Sequence, residues 1–249
     1  MHEALRSAPE RTLPGGDEIS HAANALEGSE PEDILRWAAD AYGDGLTLSV
    51  SFGNPEGMVL LDMLSRITER ARVFSLDTGF LFDETVRFRE ETMDRYGLPL
   101  EVVRSELSIE EQVERYGPRM YSCKPDLCCQ IRKVAPQKKF LESYEAWATG
   151  IRRDQTPDRA DTPVFGWDEY FGVAKISPLV AWTSEQVEGY VREHDVPMNP
   201  LLGVGYRSIG CEPRTRPAEE GEDARAGRWA DSEKTECGIH IANGKVGRA

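Results

Sequence analysis

The chain has 249 residues, 39% hydrophobic and 30% charged, a composition that can bury a core and excludes a disordered chain. Its net charge of −14, from 30 basic and 44 acidic residues, argues against nucleic-acid binding, which relies on basic stripes that displace counterions. No apolar run approaches the roughly 18 residues of a membrane span, and Met1–Arg6 has no apolar stretch behind its charges, so a cytoplasmic protein is expected. Residues 1–28 are polar, show no sustained period and are expected to form a mobile extension. Ser29-x-x-Glu32 with Pro31 then reads as a helix start, and Ile34, Leu35, Trp37 and Ala38 supply its apolar face. Leu46–Ser51 reads as a buried strand running into the turn Phe52–Gly57 and an apolar helix, Met58–Ile67. A second strand, Val73–Leu76, enters Asp77-Thr78-Gly79 before an amphipathic helix at about Phe82–Tyr96. A third, Leu100–Val103, precedes a capping box at Ser108-x-x-Glu111. Trp147–Gly150 is expected to be another strand, and Thr183-x-x-Gln186 to cap a helix ending near His194. Beyond Pro197 the chain is rich in Gly, Pro and charge and reads as irregular.

Strand, loop and helix alternate three times, which predicts an α/β fold: a twisted, mainly parallel sheet with helices on both faces. Three loops would then follow the carboxyl ends of strands, where open α/β sheets bind ligands. In the first, Ser49 and Ser51 offer hydroxyls, while Gly53 and Gly57 let backbone approach a ligand at the next helix N-terminus. A phosphate-binding turn and an ordinary βα turn both fit that pattern. The absence of Gly-x-x-x-x-Gly-Lys-Ser/Thr speaks against a Walker nucleotide hydrolase. The second loop is Asp77-Thr78-Gly79. In the third, Gly150 precedes Arg152 and Arg153, whose guanidinium groups can clamp an anion or pair with Asp154 and Asp158. The basic island 128–159, with 7 basic and 4 acidic residues, points to a small anionic ligand on an otherwise acidic protein.

The cysteines are Cys123, Cys128, Cys129, Cys211 and Cys237, an odd number that does not suggest a disulfide framework. Adjacent Cys128 and Cys129 raise the weight of metal, cluster or redox chemistry. Cys237-x-x-His240 is half of a zinc pattern; His240 equally suits polarising the cysteine or orienting the tail.

Six segments carry a resemblance: Ser51-Phe-Gly53 with Leu76-Asp-Thr-Gly79, Cys128–Pro136, Thr149–Gln155, Pro200 with Gly205–Cys211, Gly221–Trp229, and Glu236-Cys-Gly-Ile-His240. In this order, from about residue 30 to residue 241, they resemble the assimilatory sulfonucleotide reductases, which act on adenylyl sulfate or phosphoadenylyl sulfate. The resemblance implies a fold of the adenine-nucleotide α-hydrolase type, with a nucleotide-binding reductase domain over residues 29–204 and a C-terminal segment, 205–249. It implies that Cys237 attacks the sulfuryl sulfur, AMP leaves, and thioredoxin or glutaredoxin releases sulfite from the S-sulfocysteine. Arg225 and Arg228 are candidates to favour the thiolate and neutralise the substrate's oxygens. Substrate contacts are expected from Ser51, Gly53, Asp77, Thr78, Gly79, Lys133, Gly150, Arg152, Arg153 and His240.

The adenylyl-sulfate branch of this family holds a 4Fe–4S cluster on a Cys-Cys pair and a later Cys-x-x-Cys. Cys128, Cys129 and Cys211 match three of those ligands, which places the chain nearer this branch and favours adenylyl sulfate over its 3′-phosphorylated form. The fourth position holds Arg214, which cannot act as a thiolate. Recruitment of Cys123, a cluster with a labile iron, and loss of the cluster are the three readings. Two other functions compete: an adenylating enzyme on the same fold, which would typically carry Ser-Gly-Gly-x-Asp-Ser in the first turn, and a catalytically idle cluster- or zinc-binding protein.

Overall fold

The computed structural model describes residues 16–222, 225–228 and 239. Its core is a six-stranded sheet of β1 (Leu46–Ser49), β2 (Arg72–Asp77), β3 (Leu100–Arg104), β4 (Ala146–Ala148), β5 (Phe165–Asp168) and β6 (Val173–Ile176). Their order is β3-β2-β1-β4-β6-β5, parallel throughout except for the antiparallel β5–β6 pair. Pairing places Leu48 beside Val73 on one side and Ala148 on the other. The chain moves outward from β1 to β3, then returns to the opposite side of β1 to form β4. Between β1 and β4 the winding direction therefore reverses, and this is where such sheets open a crevice at their carboxyl ends.

Alternation along the strands separates two apolar layers. Leu46, Leu48, Val73, Ala146, Ala148 and Ile176 face a layer that includes α2 (Pro31–Tyr42), α3 (Pro55–Ile67), α4 (Asp83–Tyr96) and α9 (Ser184–Glu193). Phe74, Trp147 and Val173 face the other side, with Val134, Leu141 and Tyr144. Helices thus cover both faces, and the central strands are apolar on both sides as a buried parallel sheet requires. The capping boxes at Ser108–Glu111, opening α5 (Ile109–Tyr116), and Thr183–Gln186, opening α9, are both formed.

One expectation changes, and two stretches that the sequence left open take shape. Residues 16–26 form a helix, α1 (Gly16–Leu26), docked through Ile19, Ala22, Ala23 and Leu26, so they are not a mobile extension. The apolar spacing at 19, 22, 23 and 26 is itself helical, though masked by polar neighbours. The C-terminal segment from residue 205 packs against the sheet-bearing part at its start: Ile209 is buried, and Glu212 N donates to Phe80 O at 2.7 Å. The stretch after α5, left unassigned from sequence, holds α6 (Met120–Cys123), α7 (Pro125–Cys129), a π-helical turn (Gln130–Val134) and α8 (Ala135–Leu141). Pro136 lacks an amide hydrogen and its ring crowds the carbonyl four residues back; the wider π turn lies where that bond would fail.

Candidate active site

The turn after β1 is built to a tight tolerance. Phe52 adopts a left-handed backbone at φ 55°, strain of about 1–3 kcal/mol for an aromatic residue. It is held from both sides: its ring is buried against Phe88, and its carbonyl accepts from Asn199 Nδ2 at 2.9 Å. Gly53 N donates to Ser51 Oγ at 3.4 Å, and Pro55 opens α3 with the preset φ that a first helical residue needs. Asn54 binds across to residue 209, donating to Ile209 O and accepting from Ile209 N, both at 3.2 Å. The first turn and the 206–211 loop are thereby joined over the crevice.

The turn after β2 divides its labour. Leu76 and Thr78 line the crevice, whereas Asp77 and Gly79 do not. Asp77 Oδ1 accepts from Gly79 N at 3.1 Å, and its other oxygen pairs with Arg104 at 2.9 Å and Arg89 at 3.8 Å. Its carboxylate stabilises the turn and cannot also serve an anionic ligand. Thr78 Oγ1 accepts from Phe80 N at 3.2 Å and contacts Cys211 Sγ at 3.4 Å.

The loop after β4 departs from the two-arginine clamp. Arg153 lies outside the crevice lining and reaches Glu27, just past the C-terminus of α1, with both terminal nitrogens, at 2.7 and 3.0 Å. Arg152 lies on the crevice wall, but Glu56, Asp154 and Ser184 take its guanidinium at 3.1, 2.7 and 2.9 Å. A buried guanidinium requires such partners, and local carboxylates outcompete a transient ligand. The pairing with Asp154 that the sequence left open is the one formed; Asp158 is not among these partners. Sequence reasoning missed Glu56, Gln155 and Arg159. Gln155 donates to Glu56 Oε1 at 2.8 Å and accepts from Arg159, a buried arginine on the crevice wall. The spacing of four between Gln155 and Arg159 was the available signal.

Lys133, Cys211 and Arg228 line the crevice where it meets a second chamber, and Arg192, Arg207, Arg225 and Ile239 line it as well. Arg228 Nη1 donates to Ile209 O at 3.2 Å, and its guanidinium lies so close to Gly210 that an added methyl would meet it at 2.5 Å. The whole crevice measures about 880 Å³ and includes Ser51, Gly53 and Gly150, enough for a nucleotide-sized ligand. Cys237 and His240 lie outside the described residues; Ile239, two residues from Cys237 along the chain, is on the crevice wall.

The second chamber is smaller, about 20 Å³, and is walled by Cys128, Cys129, Cys211 and Arg214 together with Lys133, Arg132 and Arg228. Burial pushes the Cys128 thiol up, as does the neighbouring Cys211, while Lys133, Arg132 and Arg214 draw it down. Arg132 is held by Gln112 at 2.6 Å and by the carbonyls of Leu107 and Ser108 at 2.8 and 2.7 Å. Cys123 is exposed and does not line this chamber. The four described cysteines are free thiols, and among the described residues no three of His, Cys, Asp and Glu gather for a single metal ion. No helix among them is long and apolar enough to cross a membrane.

A six-stranded, mainly parallel sheet with a nucleotide-sized crevice beside its switch point, lined by several cations, is the architecture of an α/β protein of the nucleotide-binding type. Residues 45–217 match the phosphoadenosine phosphosulfate reductase domain family, and the chain belongs to that family. It is 47% identical over 223 residues to an adenosine 5′-phosphosulfate reductase of Halalkalibacterium halodurans, covering 89% of this chain and 96% of that protein. It is 44% identical over 225 residues to a phosphoadenosine 5′-phosphosulfate reductase of Gloeobacter violaceus, covering 89% and 93%. Among solved structures, the phosphate complex of the phosphoadenylyl-sulfate reductase from Candida auris superposes with a TM-score of 0.73 at 30% identity, covering 82% of this chain and 99% of that one.

Proposed function

We propose that the protein reduces adenylyl sulfate to sulfite and AMP through a covalent sulfo group on Cys237. The observation that carries this reading is a nucleotide-sized crevice lined by Lys133, Arg225 and Arg228 and by Ile239 of the Cys237 segment. The Ser51–Gly57 turn and the α3 N-terminus suit the nucleotide, and the three cations suit the phosphate and sulfate oxygens. In the first step the Cys237 thiolate donates an electron pair to the sulfuryl sulfur. The bond from that sulfur to the bridging oxygen breaks, and the pair leaves on the phosphate of AMP. The cations neutralise charge that grows on the leaving phosphate, so they stabilise the transition state more than the ground state. A dithiol of the thioredoxin or glutaredoxin kind then attacks Cys237 Sγ and sulfite leaves with the bonding pair. The mixed disulfide is resolved by the second thiol, which restores the Cys237 thiolate and leaves the dithiol oxidised by two electrons. A reducing cytoplasmic setting suits the four free thiols.

The unphosphorylated nucleotide is the proposed substrate, in keeping with the larger identity to the relative named for it. Sulfite release in the presence of thioredoxin tests both points. The expected result is a higher kcat/KM for adenylyl sulfate than for its 3′-phosphate, and no activity in Cys237→Ser. A strong preference for the phosphorylated nucleotide would overturn the substrate choice. Undiminished sulfite release by Cys237→Ser would overturn the mechanism.

A further inference from the structure

The cysteine-lined chamber does not fit the four-iron cluster that the resemblance implies. Its fourth wall is Arg214, whose Nη1 donates to the carbonyl of Tyr121 on α6. A guanidinium stays protonated, so it offers iron no electron pair and places a positive charge beside it. Cys123, the remaining described thiol, is exposed on α6 outside the chamber lining.

Four metal–thiolate bonds would otherwise tie the Cys128–Cys129 helix to the Cys211 loop. Arg214 occupies a position to make that connection. The residue sits on the single 3-10 turn after Cys211, Glu212–Arg214, which is fixed by Arg214 N donating to Cys211 O at 3.0 Å and Thr215 Oγ1 to the same oxygen at 2.8 Å. Its guanidinium reaches Tyr121, whose ring packs edge-on against Phe80 at 5.4 Å. Phe80 in turn is bound to this loop by its carbonyl, which accepts from Glu212 N at 2.7 Å.

We propose that this chain assembles no iron–sulfur cluster, and that Arg214 is a positioning residue that replaces the metal tie by joining the Cys211 loop to the α6–α7 segment behind Lys133 and Arg228. The inference rests on family membership and on the chamber, not on which nucleotide is reduced. Its primary readout is metal content and not sulfite.

The test begins with anaerobic purification of the native chain, followed by incubation with ferrous iron, sulfide and a thiol reductant and then gel filtration. The expected protein carries well under one iron per chain and lacks the broad visible absorption of a cluster. About four irons retained through gel filtration would overturn the proposal, whether or not sulfite is released. The tie is read separately, from the rate at which a small alkylating reagent labels Cys128, assigned by peptide fragmentation. Labelling should be slow in the native chain and about tenfold faster or more in Arg214→Ala, with much of the protection restored in Arg214→Lys, whose ammonium can still donate to a carbonyl. Equal rates in native and Arg214→Ala chains, with both folded by circular dichroism, would remove the positioning role. If Arg214→Ala fails to fold, Arg214→Met, which keeps most of the side-chain bulk but has no hydrogen-bond donor, replaces it, with the same expected acceleration and the same contrary result.

Discussion

A methyl group on Gly150 would lie 2.7 Å from Glu56 Cβ and 3.0 Å from the Glu56 carbonyl carbon, so the β4 loop rests directly on the first turn of α3. No larger residue preserves that approach without moving one element, at a cost of about 1–3 kcal/mol. Gly150→Ala should therefore weaken AMP binding about tenfold, or ~1.4 kcal/mol, measured by calorimetry. Unchanged affinity would show that the loop spacing does not shape the nucleotide site. The glycine was legible in the sequence because it follows a strand and precedes two arginines. The fate of those arginines was not. Arg152 and Arg153 are adjacent in sequence, yet their partners Glu56 and Glu27 lie 96 and 126 residues away. Only the packing of α1 and α3 decides that one guanidinium lies on the crevice wall and the other outside it.

The helices around the crevice are fastened at a single buried carboxylate. Asp62 of α3 accepts from Tyr96 of α4 at 3.1 Å and from Tyr190 of α9 at 2.8 Å, and pairs with Arg66 at 2.8 Å. Burial and the nearby carboxylate push both phenols well above their ordinary range, so they remain hydrogen-bond donors at any working pH. Tyr190→Phe removes one bond to a charged, buried group and should lower unfolding free energy by about 1.5–3 kcal/mol. Urea denaturation checks this, and a loss below ~0.5 kcal/mol would mean that Tyr96 and Arg66 suffice. Periodic segments and caps within four residues could be read directly, which is why the first three βα units and both capping boxes were visible. The Asp62 cluster spans α3 to α9 and leaves no local trace. The β5–β6 hairpin escaped notice because Gly166 and Asp168 interrupt β5 and Lys175 interrupts β6, so neither is a continuous apolar run, and the 120–141 helices because the π turn before Pro136 breaks the 3.6 period.

Over the whole molecule, the net charge of −14 would repel an anionic nucleotide if it were spread evenly. Lys133, Arg225 and Arg228 instead line the crevice, with Arg152, Arg159, Arg192 and Arg207. At physiological salt, charges on the outer surface are screened beyond about 8 Å, so a ligand entering the crevice is governed by its walls. The site depends on sheet order: the reversal at β1 puts the Ser51–Gly57 turn beside the Gly150 loop and leaves Leu76 and Thr78 on the adjoining wall. The parallel sheet follows from the βα alternation, which the sequence carries; the strand order that reverses at β1, and the docking of the 206–211 loop through contacts such as Asn54 with Ile209, are long-range and leave no local trace. The central claim is that the sulfo group passes through Cys237 and not through the chamber thiols. Intact-protein mass after incubation with adenylyl sulfate, without any reductant, tests it most directly. The account predicts the added mass of one sulfo group on the native chain, retained when Cys128, Cys129 and Cys211 are together replaced by serine and lost in Cys237→Ser. A sulfo group that persists in Cys237→Ser, or that disappears with the three chamber thiols from a folded chain, would contradict it.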